Sequence, residues 1–292
     1  MASIYILIIL LFRVVQAFFN KRSSNEISGI PDLIRYNAYK NTISATLGLI
    51  LILGGTLQLD LLTVLLATFS GLSLFAGSFC SIYAMKSGTV SLNSMFATAG
   101  MIIPIIAGIF LFDKPVSPMQ FVGLGIFFLS AYILISASRQ VYTNFSYKTL
   151  LLLIGSTVSN GCTMLAQQMF ATYVPDGNVS VFSFLSFGII AVLGWLLLPV
   201  VRVSGANQKS KLSKPLLLCG VALAVAVFVI NQLATISTRT VPPAILFTFI
   251  NGGGTIISTI VAAIVYKEKL SKRTCIGVIL GITSLVIIKV FA

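Results

Sequence analysis

Histidine is absent from this 292-residue chain, and acidic residues are scarce, with six Asp and Glu in total. Without histidine there is no imidazole metal ligand, no histidine-based catalytic triad and no imidazole proton relay. The four cysteines, Cys80, Cys162, Cys219 and Cys275, form no CxxC pair, which favours small buried apolar side chains over redox or metal roles. These absences leave little chemistry for an enzyme, and we expect neither catalysis nor a cofactor.

Charged residues make up only 9% of the chain, whereas hydrophobic residues make up 57%. A soluble domain needs about a quarter of charged residues to cover its surface. We therefore predict an all-α integral membrane protein that is solvated by lipid. Most of the 19 Lys and Arg fall in short segments between apolar runs, where they orient helices and meet anionic lipid, so we expect no nucleic-acid partner.

Crossing the hydrocarbon core takes about 20 apolar residues. By that measure the sequence predicts ten transmembrane helices with short connections and no water-soluble domain. The predicted spans are residues 2–19, 41–58, 61–83, 90–111, 119–137, 149–171, 178–201, 215–235, 242–266 and 273–291. Most Lys and Arg fall after the odd-numbered spans, which predicts that both termini lie outside.

Two stretches of the chain, residues 112–123 and residues 267–277, read as copies of each other. Each follows an apolar run, contains an acid–lysine pair, a serine and a glycine, and opens a final apolar helix. An internal repeat in a hydrophobic chain is typical of a secondary transporter, whose binding site lies where the halves meet. We assign residues 1–140 and 141–292 as two five-helix repeats within one membrane domain.

The same segments carry a family resemblance. The run YAMKSGTV at residues 83–90 is followed by an apolar run, Asp113-Lys114 and the QFVG of residues 120–123, and the second copy has KEKLS at residues 267–271. This doubled arrangement resembles the EamA type of the drug/metabolite transporter superfamily. The resemblance implies a 5+5 inverted-topology repeat, a central cavity that opens alternately to either side, and export or exchange of small polar metabolites. It also implies termini inside, against the charge count, so the orientation stays open.

Polar residues within apolar spans are costly in lipid and mark a candidate cavity lining. Helix 1 carries such residues at i, i+3 and i+7, hence on one face, and helix 6, its repeat partner, has the same spacing. The two polar stripes are Arg13, Gln16 and Asn20, and Asn160, Thr163 and Gln167. If they face each other they form a hydrogen-bonding chamber for a substrate; the alternative is that they hold helices together.

Arg13 is the one cation that the sequence places clearly inside a span. It either snorkels to the basic end of helix 1, or it serves as the counter-charge of a substrate carboxylate or phosphate. No acidic residue falls within a span core, so the intramembrane glutamate of small multidrug cation/proton antiporters is missing. Further candidate substrate-binding residues are Tyr83 at the end of helix 3, Asn231 in helix 8 and Asn251 in helix 9.

Three glycines, Gly252, Gly253 and Gly254, follow Asn251 within predicted helix 9. Each weakens a helix by about 1 kcal/mol relative to alanine. They permit either close packing of another helix, or a hinge with local unwinding that frees backbone groups for a ligand. We place the pairs Asp113-Lys114 and Glu268-Lys269 at the membrane interface, with no part in transport chemistry.

These features predict a transporter, a monomer or homodimer in the plasma or inner membrane, in contact with lipid. It moves a small polar metabolite, such as an amino acid or an organic anion, by alternating access. The alternatives are a lipid-handling or flippase-type membrane subunit, and a multidrug or organic-cation exporter. Substrate, direction and ion coupling are left open by the sequence, with a preference for exchange or facilitated transport over proton coupling because no buried carboxylate is present to carry protons.

Overall fold

The structure is a computed structural model that describes residues 2–27, 29–53, 59–87, 90–112, 116–141, 146–203, 212–265 and 271–291. Over these residues the chain forms eleven α-helices and no strand. They are α1 (Ala2–Glu26), α2 (Ile30–Ile52), α3 (Leu61–Ser87), α4 (Val90–Ala99), α5 (Ile102–Leu111), α6 (Pro118–Val141), α7 (Tyr147–Tyr173), α8 (Val179–Val203), α9 (Lys214–Ser237), α10 (Pro243–Ile264) and α11 (Lys272–Val290). The expected all-helical class is confirmed.

Apolar side chains cover the outside of the helix bundle, and amides lie within it. Leu7, Phe110 and Leu218 expose 60%, 78% and 70% of their surface, whereas Asn37 and Gln168 expose 0%. Apolar patches of this extent are rare on proteins that face water. Six of the helices in the described part of the chain are also long and apolar enough to cross a membrane, as expected for a multi-pass membrane protein.

The largest differences from the predicted helix boundaries lie between the first two spans. Helix α1 continues to Glu26 instead of ending at residue 19, and α2 begins at Ile30 instead of residue 41. Residues 30–41 are polar enough to read as a connection, yet proline near the first turn is compatible with a helix start, and α2 packs against α8 and α9. Lys40, which the sequence assigned to a connection, therefore lies in the middle of α2.

The predicted fourth span, residues 90–111, is two helices instead of one. Between α4 and α5, the N–H groups of Gly100 and Met101 donate to the carbonyls of Ala97 and Thr98 at 3.3 and 3.0 Å, which tightens the chain into a turn. Gly100 is required there because α7 comes very close: a Cβ on Gly100 would overlap the carbonyl oxygen of Thr157, and a Cβ on Gly161 would overlap that of Gly100. The interruption is thus held directly against α7.

The strongest helix packing runs between the two halves of the chain. Helix α2 lies along α8, α3 along α7, α1 along α9, and α6 along α11. In addition, α10 contacts α1 and α4, while α7 contacts α4 and α5. A large buried apolar cluster, which includes Ile9, Met101, Phe127, Phe247 and Ile288, forms where α1, α5, α6, α10 and α11 meet.

The two acid–lysine pairs predicted at the membrane interface, Asp113-Lys114 and Glu268-Lys269, lie outside the described residues.

The cysteines differ in burial. Cys219 is buried as predicted, and Cys80 and Cys162 are half-buried. The prediction of burial is wrong for Cys275, which is exposed near the start of α11.

Candidate functional site

A cavity of about 160 Å³ lies between helices α1, α2, α3, α4, α7, α9 and α10. Eight of the nine side chains predicted from the sequence to bind substrate line it, as does the predicted packing residue Gly254. The eight are Arg13, Gln16, Asn20, Asn160, Thr163, Gln167, Asn231 and Asn251. The i, i+3, i+7 spacing gives α1 and α7 one polar face each, and both faces meet this cavity.

Arg13 is held by neutral amides in the middle of α1. Its Nη1 donates to Gln16 Oε1 at 2.9 Å, and its Nη2 donates to Asn251 Oδ1 at 3.0 Å. Its aliphatic stem packs on α10 at Gly254, where an added Cβ would lie 3.4 Å from the Arg13 Cδ. Lys21 and Arg22, the basic residues of α1, lie eight and nine residues further along the helix, about 12–14 Å away at the helical rise, whereas the guanidinium is bonded inside the bundle to Gln16 and Asn251. The snorkelling anchor is therefore disfavoured.

Lys40 is the site residue that sequence reasoning missed, and it makes wrong the prediction that Arg13 is the one intramembrane cation. It is 3% exposed, lines the cavity, and its Nζ donates to Ser78 Oγ at 3.1 Å. The sequence did contain a signal, because the polar residues of this stretch recur on one helical face. These residues, all buried, are Tyr36, Asn37, Lys40, Asn41 and Ser44.

Asn251 joins three other helices to α10. Its Oδ1 accepts from Arg13 of α1, its Nδ2 donates to Met164 Sδ of α7 at 3.4 Å, and its backbone oxygen accepts from Thr98 Oγ1 of α4 at 3.1 Å. Asn251 is 4% exposed. Asn251 thus orients Arg13 and contacts α7 through its side chain, and it bonds to α4 through its backbone oxygen.

The three glycines beside Asn251 lie in a continuous helix, since α10 runs unbroken from Pro243 to Ile264. Gly252 is buried, and a Cβ on Gly253 would lie 2.7 Å from Leu10 Cδ2. The glycines therefore let α1 approach α10 closely in this conformation. The hinge remains a prediction, and the interrupted helix is α4–α5 instead.

Four more of the predicted amide and hydroxyl residues also bond to protein groups. Gln167 Nε2 donates to Asn231 Oδ1 at 2.9 Å, which links α7 to α9. Asn160 Nδ2 donates to the carbonyl of Ala97 at 2.6 Å, which links α7 to α4, whereas Thr163 Oγ1 bonds within α7. Cavity lining and helix adhesion, posed as alternatives from the sequence, occur together here.

Tyr83 is the one predicted substrate-binding residue that the structure does not bring to the cavity. Its ring stacks on Phe79 with centroids 5.9 Å apart, and Lys148 Nζ lies 5.7 Å from the ring centroid. It packs against the apolar cluster of Ile27 and Leu33. This placement favours a structural use of the ring near the end of α3.

Replacing Asn251 with leucine is expected to lower the free energy of unfolding by about 2–3 kcal/mol, because Arg13 Nη2 loses its acceptor. Thr163→Val is a matched control, because it removes a hydroxyl that donates to the carbonyl of Ser159 within the same helix. The control should cost less than about 1 kcal/mol. SDS titration of both variants in mixed micelles measures the difference; equal costs would contradict the assigned role of Asn251.

Comparison with known proteins finds a solved structure with the same fold and a distantly similar sequence. No family model matches the chain. An uncharacterized protein of Haemophilus influenzae is 22% identical over 187 residues, which cover 63% of this chain and 61% of that protein. The chain thus spans less than two thirds of that relative's length. A crystal structure of a protein that is 16% identical superposes with a TM-score of 0.75 over 100% of this chain and 97% of the other, so the fold is shared with a solved structure.

Proposed function

We propose that this chain is a secondary transporter of the drug/metabolite transporter type, which moves a small polar metabolite by alternating access. The observation that carries the proposal is the polar cavity within a helix bundle whose outer surface is apolar. Polar groups at membrane depth are expensive, and in membrane proteins they mark ligand or ion pathways. Helices from both halves of the chain line this cavity, which is where a repeat-built transporter holds its substrate.

Helix packing supports a 5+5 inverted repeat in which α4 and α5 count as one span. Exchanging α1, α2, α3, α4–α5 and α6 for α7, α8, α9, α10 and α11 maps the pairs α2–α8 and α6–α11 onto themselves. The same exchange maps α3–α7 onto α1–α9, and α1–α10 onto α4–α7. Contacts that survive exchange of the halves are expected for an inverted repeat about a two-fold axis. Rocking of the halves about this axis would open the cavity to each side in turn.

The charge of the cavity lining distinguishes acidic metabolites from organic cations as candidate substrates. Export of organic cations by the multidrug route uses an intramembrane carboxylate. Among the described residues that line the cavity there is no acid, while Arg13 and Lys40 would repel a cation. Metabolites that carry an acidic group therefore fit better than organic cations.

Filling the cavity is expected to stop transport. In proteoliposomes preloaded with a metabolite panel, we expect the wild-type protein to exchange labelled members of one class, chosen from dicarboxylates, phosphate monoesters, amino acids and sugars. Ser78→Trp places an indole in the cavity beside Lys40 and should abolish exchange. Gly125→Trp adds the same side chain where a Cβ meets nothing within 4 Å, and should retain exchange.

Two outcomes of this assay would contradict the proposal. One is exchange that persists in Ser78→Trp. The other is absence of exchange for every class in the wild type, and lipid scrambling by the same vesicles would then favour the flippase-type alternative.

A further inference from the structure

The cavity carries two cations and no acid among its described lining residues. Arg13 on α1 and Lys40 on α2 are the only ionisable side chains in that lining. Both lie near the middle of their helices, at positions 12 of 25 and 11 of 23, as the helix bounds give them. Neither has an acidic partner within 4 Å in the described chain, where the ion pair present is Arg35–Asp32.

Neutral oxygens occupy only some of the donors of these two cations. Arg13 uses Nη1 and Nη2 on two side-chain amides, while its buried Nε has no hydrogen-bond partner. Lys40, which has three donor hydrogens, has one recorded hydrogen bond, to Ser78 Oγ. Amide and hydroxyl oxygens orient a cation without cancelling its charge. When both groups are protonated, a charge of +2 is therefore left without an acidic partner among the described residues, in a cavity inside an apolar bundle.

An acceptor without a partner also faces the cavity. Asn93 on α4 lines it, is 4% exposed, and its Oδ1 has no hydrogen-bond partner. A buried carbonyl oxygen of this kind calls for a donor. A ligand that carries a hydroxyl group beside its acidic groups would supply one.

We propose that the cavity is a site for small organic dianions, dicarboxylates or phosphate monoesters, which place negative charge at both Arg13 and Lys40. The inference rests on the proposed transport function and narrows its substrate class. A guanidinium fork matches a carboxylate or phosphate with paired bonds, and an ammonium accepts either as a point charge. A monoanion leaves one cation unpaired. An amino acid, in addition, brings an ammonium group for which the described lining offers no carboxylate.

The test compares ligands that differ by a single charged group. Purified full-length protein in detergent is titrated with glutarate, with glutaramate, which lacks one carboxylate, and with glutamate, which adds an ammonium. Glycerol phosphate and its diester form the second pair, and the series from malonate to adipate varies the distance between the two carboxylates. Binding is followed by ligand-dependent thermal unfolding, since a ligand that binds the native state stabilises it.

We expect one or more dianions to bind about tenfold more tightly than the singly charged partner, and also more tightly than the amino acid. The reason is that a dianion pairs with two partly desolvated cations instead of one. The quantity compared between variants is the ratio of the two affinities, dianion over monoanion. In Lys40→Gln and in Arg13→Gln this ratio should fall towards one. Lys40→Arg, which keeps the charge, should retain it. The matched controls Lys272→Gln and Arg273→Gln remove exposed cations at the start of α11 and should leave the ratio unchanged.

The outcomes separate this inference from the transport function. Exchange of a monoanion or an amino acid, with equal or tighter binding than the dianion, would overturn the dianion site and leave the transporter standing. A dianion preference that survives in Lys40→Gln would equally overturn the assigned site. Absence of binding and exchange for every ligand would contradict both. A preference for the phosphate pair over the dicarboxylate pair, or the reverse, identifies which dianion the site takes.

Discussion

Lys40→Met is expected to make the ligand-free protein harder to unfold, by about 1–3 kcal/mol, since replacing buried ionic groups with apolar ones of similar size is often stabilising. The ammonium of Lys40 is 3% exposed and has one recorded hydrogen bond and no acidic partner within the described chain. Methionine has a similar length and needs no acceptor. The same substitution should abolish stabilisation by a dianion, so stability and binding change in opposite directions.

Unfolding of Lys40→Met can be followed with a thiol-reactive fluorophore, because the thiol of Cys219 is 2% exposed and becomes reactive only when the bundle opens. Exposed Cys275 and the half-buried Cys80 and Cys162 contribute a background that is shared by the wild type and the variants. Lys40→Arg and the exposed-site control Lys272→Met should both unfold as the wild type does. A loss of stability in Lys40→Met would mean that the charge is satisfied within the protein, and would remove the reason to assign it to a ligand.

Gly161→Ala is expected to lower the free energy of unfolding by about 3 kcal/mol or more, at the upper end of the cost of overpacking. The added Cβ would overlap the carbonyl oxygen of Gly100 and would lie 2.5 Å from Ile103 Cδ1. The backbone at the α4–α5 interruption cannot move aside to relieve the overlap, whereas the end of a flexible side chain could. Because Asn160 and Thr157 of α7 also bond to α4 there, the shift would pass directly into the cavity wall.

Gly125→Ala provides the matched control for this prediction. A Cβ at Gly125 meets nothing within 4 Å, and alanine favours a helix by about 1 kcal/mol over glycine. The control should therefore unfold no more easily than the wild type. Comparing SDS titrations of both variants isolates the close approach of α7 to Gly100. Similar stability of the two variants would contradict that approach.

The two stability predictions have opposite signs because the residues serve different purposes. Gly161 belongs to the packing that joins the halves, so any added volume is unfavourable. Lys40 is predicted to destabilise the ligand-free fold, as functional residues commonly do. If both predictions hold, the cavity is a functional site, and packing elsewhere in the bundle offsets the free-energy cost of its buried charge.

Much of the cavity could be predicted from the sequence, because α1 and α7 are apolar helices with a few polar residues. In such helices helical spacing alone places Arg13, Gln16 and Asn20 on one face, and the repeat identifies the matching face of α7. The break at Gly100 could not be predicted in this way. It depends on the approach of α7, and glycine within an apolar run is equally compatible with an unbroken helix, as α10 demonstrates at Gly252 to Gly254.

The amino-acid sequence by itself determined the all-helical class, the apolar exterior and the polar faces of α1 and α7. Hydropathy determines the first two because it reports the contact of a helix with lipid, and helical spacing determines the polar faces. Only the tertiary structure decided that Lys40 lines the cavity. Helix α2 packs along α8 and α9, so its polar face is covered by other helices and needs no apolar residues to meet lipid. A rule based on hydropathy therefore predicts a connection for such a stretch, although its polar residues recur on one helical face, and only the packing of the neighbouring helices shows that Lys40 lies inside the bundle.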